Sequence, residues 1–260
     1  MKRFFSLLRK DLETSKLPIL FNSGLAVVWI TFLRYRYQAG WPIRAAFALM
    51  FVPLTFLPIW LMWQTYQTLR VEWREKTTYT MLLLPVPGWQ IMLSKLVALL
   101  IEFTAVLAVF VGSVLVLFYG PINDSYGYLL KAVPLNWLIR NGILLYLGAV
   151  ALFSSFVIFV QLAFIVGKLV GRFRGLVALW TMFIGSWLVE RIGIILQPLF
   201  GWVPHLQIDR LFRLDVIARL TDYSPEIAYD YSAKIGSWLA TIGLFILSSW
   251  LLENWVETDE

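Results

Sequence analysis

From Leu96 to Tyr119 this chain carries a single charge, Glu102, set among residues that are almost all apolar. Long runs of this kind recur along the sequence, and they leave few choices of fold. In hydrocarbon there is no water to satisfy backbone N–H and C=O groups, so a buried segment must pair them internally. An apolar run of about 20 residues therefore reads as a membrane-crossing helix. A β-barrel would show short segments of alternating polarity instead, and the sequence has none. Composition agrees. The chain is 60% hydrophobic and 15% charged, whereas soluble domains run near half apolar with about a quarter charged. The expected fold class is an all-α integral membrane protein with six transmembrane helices.

The expected spans are about 18–33, 45–69, 96–119, 139–166, 176–196 and 235–252. Residues 1–17 precede them. At about 100° per residue, Phe4, Phe5, Leu7, Leu8 and Leu12 fall on one side, and Lys2, Arg3, Arg9, Lys10, Glu13 and Lys16 on the other. This predicts an N-terminal amphipathic helix in the head-group plane. It does not read as a signal peptide, because the apolar run is short and Asp11 and Glu13 follow it. Pro53 and Pro58 are expected to kink the second span. A short loop with Arg34, Arg36 and Arg44 precedes that span, and a polar loop with Gly120, Pro121, Asn123 and Asp124 follows the third. The turn at 167–175 is tight and basic.

Six spans put both termini on one side, and Lys and Arg choose which. The termini, the 70–95 segment and the 167–175 turn hold more of these residues than the opposite side. The basic group before the first span (Lys2, Arg3, Arg9, Lys10, Lys16) carries most weight. Both termini are therefore expected in the cytoplasm. A net charge of +6 suits anionic lipid head groups. The basic residues are scattered beside apolar runs, so no nucleic-acid partner is expected. With no Cys, thiol catalysis and Cys-ligated metal are excluded. The one histidine, His205, follows Pro204 and lacks companions for a metal site.

The segment 70–95 mixes charge, hydroxyls and proline between two apolar runs. It reads as helix, break, helix. Thr77 or Thr78 caps a short helix through Tyr79, Leu82 and Leu83, and Pro85 and Pro87 end it. Such a helix fits a groove on a partner. Glu72, Arg74, Glu75 and Lys76 set register by charge, and Tyr79, Leu82 and Leu83 give apolar contact.

The residues Glu72, Glu75, Thr78, Leu82, Leu83, Pro85, Val86, Ile91, Ser94 and Lys95 resemble the coupling segment of ABC-2 type permeases, the membrane subunits of ATP-binding-cassette exporters. The expected topology is similar over nearly the whole chain. One departure is Thr77-Thr78, where family members often have Gly-Thr. The resemblance implies an ABC-2 (type V exporter-like) fold in a bacterial plasma membrane. It implies a permease that moves an amphipathic or hydrophobic cargo: peptide, lipid or drug. It also implies a separate ABC ATPase subunit and a second permease subunit, as homodimer or related heteromer. ATP and Mg would be bound by that ATPase, leaving this chain no cofactor and no enzyme activity of its own. No G-x-x-x-x-G-K-[ST] phosphate cradle is present; at Gly167-Lys168 the first glycine is replaced by Leu162 and the hydroxyl residue by Leu169. In that family the outer segment between the last two spans often holds re-entrant helices, and 199–233 is similar in place and length.

Glu102, Gln161 and Glu190 are among the polar residues inside expected spans. Acids facing lipid are costly, so they line a translocation path or pair across helices. Ser154 and Ser155 are expected to bond between helices. Two other readings remain. One is a non-transporting membrane partner, such as an immunity or sensor subunit. The other is an intramembrane enzyme, which would need a cluster of acid/base or metal-ligating residues.

Overall fold

The computed structural model describes residues 2–74, 87–170, 173–200 and 231–254. Every regular element among them is helical. Five helices are long and apolar enough to cross a membrane: Phe4–Gln38, Gly88–Ser125, Leu135–Val170, Gly175–Phe200 and Lys234–Asn254. The apolar stretch Ile43–Phe56 is shorter. The chain forms two compact units, Met1–Leu130 and Lys131–Glu260.

The first unit contains α1 (Lys2–Gln38), α2 (Ile43–Met50), α3 (Val52–Arg74) and α4 (Gly88–Ala132). The basic terminus and the first span are one continuous helix, not an interfacial helix followed by a separate span. Pro18 lies inside it. At 1.5 Å per residue α1 is about 55 Å long, well beyond the roughly 30 Å hydrocarbon layer. Its first turns keep Arg9, Lys10, Glu13 and Lys16 exposed, as the helical wheel requires. Leu7, Leu8, Asp11, Leu12 and Ser15 turn inward. That side therefore packs partly on protein.

The α1 helix runs through Arg34 and Arg36 and stops at Gly40, whose φ of +97° is cheap only for glycine. Trp41 N donates to Arg36 O and Gly40 N to Tyr37 O, both at 3.1 Å. This is the paired arrangement of a Schellman stop. The Arg36 guanidinium lies 4.5 Å from the Trp41 ring centre, closing the turn.

The second expected span is divided at Phe51, between α2 and α3. Pro53 explains the break, since it has no N–H and its ring opposes a continuous helix. It begins a helix instead of kinking one. In an unbroken helix the Leu49 carbonyl would accept from residue 53. Here the Trp29 indole donates to it at 3.1 Å. Around this joint lies the core of the unit: Ala26, Ile30 and Leu33 of α1, Ala46 and Met50 of α2, and Phe110 and Phe118 of α4.

The α4 helix also overrides an expected loop. It runs unbroken past Gly120 and Pro121. Phe118 is fully buried and Ile122 packs on the same core, so the apolar face continues across the Gly-Pro pair. Tertiary packing outweighs two weak helix formers.

The second unit contains α5 (Leu135–Val170), α6 (Arg174–Leu196), a 3-10 turn (Gln197–Phe200) and α7 (Tyr231–Asn254). Of the turn expected at 167–175, residues 167–170 belong to α5 and 174–175 to α6, and 171–172 lie outside the described residues. The three helices meet around Ile158, Leu162, Val189 and Leu244. Ser154 and Ser155 do not bridge helices. Each donates to its own helix, to Val150 O at 2.7 Å and Ala151 O at 3.0 Å, the usual local competition of hydroxyls for carbonyls four residues back. Most of the 199–233 segment, with His205, Asp209, Arg213, Asp215 and Arg219, lies outside the described residues.

Glycine allows a close helix approach in this unit. A Cβ on Gly236 of α7 would stand 2.9 Å from Gly193 O of α6. Small residues allow such contact in membranes, where apolar burial alone does not drive helices together. Gly243, also on α7, has nothing within 4 Å of its would-be Cβ. Gly236→Ala is expected to destabilise by about 1–3 kcal/mol through overpacking. Gly243→Ala should be neutral or stabilising, because alanine is the better helix former. Thermal melting of both variants in detergent checks the opposite signs.

Candidate functional site

The first unit buries a lysine and a glutamate, Lys95 and Glu102, among its helices. Lys95 lies in the second turn of α4, with a side chain only 3% exposed. A buried ammonium needs a partner. Asp11 of α1 supplies it, with Nζ 3.4 Å from Oδ1. The other Asp11 oxygen, Oδ2, accepts from Ser94 Oγ at 2.7 Å. One carboxylate thus holds two consecutive residues of α4. Adjacent helix positions point about 100° apart, so the pair fixes the rotation of α4 as well as its distance from α1.

Four residues on from Asp11 is Ser15, and seven on from Lys95 is Glu102. Both residues are 2% exposed. Gln64 of α3 donates from Nε2 to Glu102 Oε2 at 3.4 Å, a long contact near the limit for such bonds. Ser15 and Trp60 approach the same carboxyl. Glu102 Oε1 is nevertheless buried with no hydrogen-bond partner, and so is the Trp60 indole nitrogen. Orphaned polar atoms of this kind are few in folded proteins.

Beyond Glu102 opens a cleft of about 340 Å³ within the same unit. Its walls come from α1 (Asn22, Leu25, Trp29), from α3 (Val52, Pro53, Leu54, Phe56, Trp60) and from α4 (Phe103, Val106, Leu107, Phe110). Spacing explains the α4 wall. Glu102, Phe103, Val106, Leu107 and Phe110 recur at three and four residues, which is one helix face.

The residues expected from the sequence are distributed unevenly. Glu102 sits at this cleft. Gln161 is fully buried on α5, and Glu190 is exposed on α6, both in the second unit. Glu72 and Arg74 are in the last turn of α3, and their side chains lie outside the described residues. Glu75, Lys76, Thr77, Thr78, Tyr79, Leu82 and Leu83 lie wholly outside them. Ser94 and Lys95 close the motif, and the structure places both in the Asp11 clasp.

Asp11, Ser15, Trp60 and Gln64 were not legible as site residues. For Asp11 a signal existed: an acid on the apolar side of an amphipathic helix, between Leu8 and Leu12. No protein-family profile, curated protein or solved structure matches this chain.

Removing one partner of a buried ion pair leaves the other charge uncompensated, which typically costs about 3–5 kcal/mol. Asp11→Ala should lower the melting temperature of the detergent-solubilised protein accordingly. Adding Lys95→Met to it should recover most of the loss, because the stranded ammonium is gone.

Proposed function

We propose that the chain is the membrane subunit of an ABC-2 type exporter. It moves an amphipathic or hydrophobic cargo (peptide, lipid or drug) across a bacterial plasma membrane, using ATP hydrolysed by a separate subunit. It pairs with a second permease chain, has both termini in the cytoplasm, and counts the 45–69 region as a sixth span. Support comes from the motif between Glu72 and Lys95 and from the long apolar helices.

The observation that carries the reading is the clasp at the end of that motif. Ser94 and Lys95, where the 70–95 segment enters α4, are bound to Asp11 of α1. A load applied to the segment would therefore act on α1 and α4 together. ATP-driven closure of a partner would bias the bundle between two arrangements, as a two-state switch requires. The charged and apolar residues ahead of the clasp, Glu72 to Leu83, suit a docking helix.

Purification from its native membrane should bring down an ATPase with a phosphate-binding loop, whose turnover rises with the complex. Glu72→Lys combined with Glu75→Lys reverses the charge of the docking surface. That double variant should lose the ATPase while keeping the melting temperature of the isolated chain. Full retention of an active complex would contradict the coupling role.

A further inference from the structure

The cleft of the first unit is apolar along most of its wall, and Glu102 is the one ionisable side chain lining it among the described residues. Its size falls in the range of small-molecule sites, about 300–1,000 Å³. An acid in such a place is expensive unless something compensates it. Protein groups compensate it incompletely. Gln64 reaches one oxygen at long range and Ser15 and Trp60 stand close by, yet Oε1 is left with no hydrogen bond. Lys95, two turns earlier on α4, is held by Asp11.

A lipid tail in the cleft would leave the carboxyl as poorly matched as it is now. An anion would be repelled by it. A body that is apolar with one positive centre satisfies both parts of the wall. Aromatic faces add to this, since cations bind over them within about 6 Å. Phe56, Trp60, Phe103 and Phe110 all line the cleft. Trp29 also lines it, but its nitrogen is engaged with Leu49 O.

We propose that this cleft binds a lipophilic monocation, with the Glu102 carboxylate as its counter-charge and the surrounding rings packing its body. The site stands independently of any ATPase. Its occupancy therefore tests it even if the exporter reading fails.

The test uses the full chain in an uncharged maltoside detergent, with radiolabelled benzyltrimethylammonium as the probe in equilibrium dialysis. This cation keeps its charge at every pH. Saturable binding of about one per chain is expected, with uncharged benzyl alcohol a far weaker competitor. Glu102→Gln keeps the shape and removes the charge. It should weaken binding roughly tenfold or more, about 1.4 kcal/mol. Leu107→Trp keeps the charge and fills the cleft, and should also abolish saturable binding. Three results would overturn the proposal: no saturable binding to the folded wild-type chain, equal displacement by benzyl alcohol, or unchanged affinity in folded Glu102→Gln. If that variant does not fold, unchanged binding in Leu107→Trp overturns it.

Discussion

A lysine with a side chain 3% exposed sets the terms for the first unit. Its ammonium must be matched, and the match comes from a residue more than eighty positions earlier, Asp11. That demand fixes where α1 lies against the start of α4 and how α4 is rotated. With α4 so oriented, Glu102, Phe103, Val106, Leu107 and Phe110 share the face that lines the cleft. A hydrophobic contact would tolerate slippage by a turn. A carboxylate shared between Ser94 and Lys95 does not, because a turn of slippage would strand a buried charge without its partner.

Much of the helical content was legible because hydrocarbon enforces one solution to backbone pairing. Five of the expected spans coincide with helices long and apolar enough to cross. Helix ends were harder to read. Gly120-Pro121 looked like a loop, yet Phe118 and Ile122 carry the apolar face across it. Arg34 and Arg36 looked like loop residues, yet the stop comes only at Gly40, where a positive φ is needed. Pro53 looked like a kink, yet it opens α3 and frees the Leu49 carbonyl for Trp29. For Gly120-Pro121 the deciding contact is distant in sequence, whereas Gly40 and Pro53 act through their own backbone.

The site divides in the same way. Glu102 was visible as an acid with no business facing lipid. Its neighbours Ser15, Trp60 and Gln64 were not, because nothing local marks a residue as the partner of another one several turns away on a different helix. Ser94 and Lys95 were noticed as part of a family-like pattern. Their physical role as one half of a buried clasp needed Asp11 in place. That role connects the motif to the first unit: the 70–95 segment ends at residues tied to α1 by a hydrogen bond and an ion pair.

The central claim is that this segment is a cytoplasmic lever held by a nucleotide-hydrolysing partner. The most direct measurement places a photo-crosslinking amino acid at Tyr79 and irradiates intact cells. The account predicts one dominant adduct, with an ATPase bearing a phosphate-binding loop. Adducts with lipid alone, or labelling of residue 79 by a membrane-impermeant reagent added outside the cell, would contradict it.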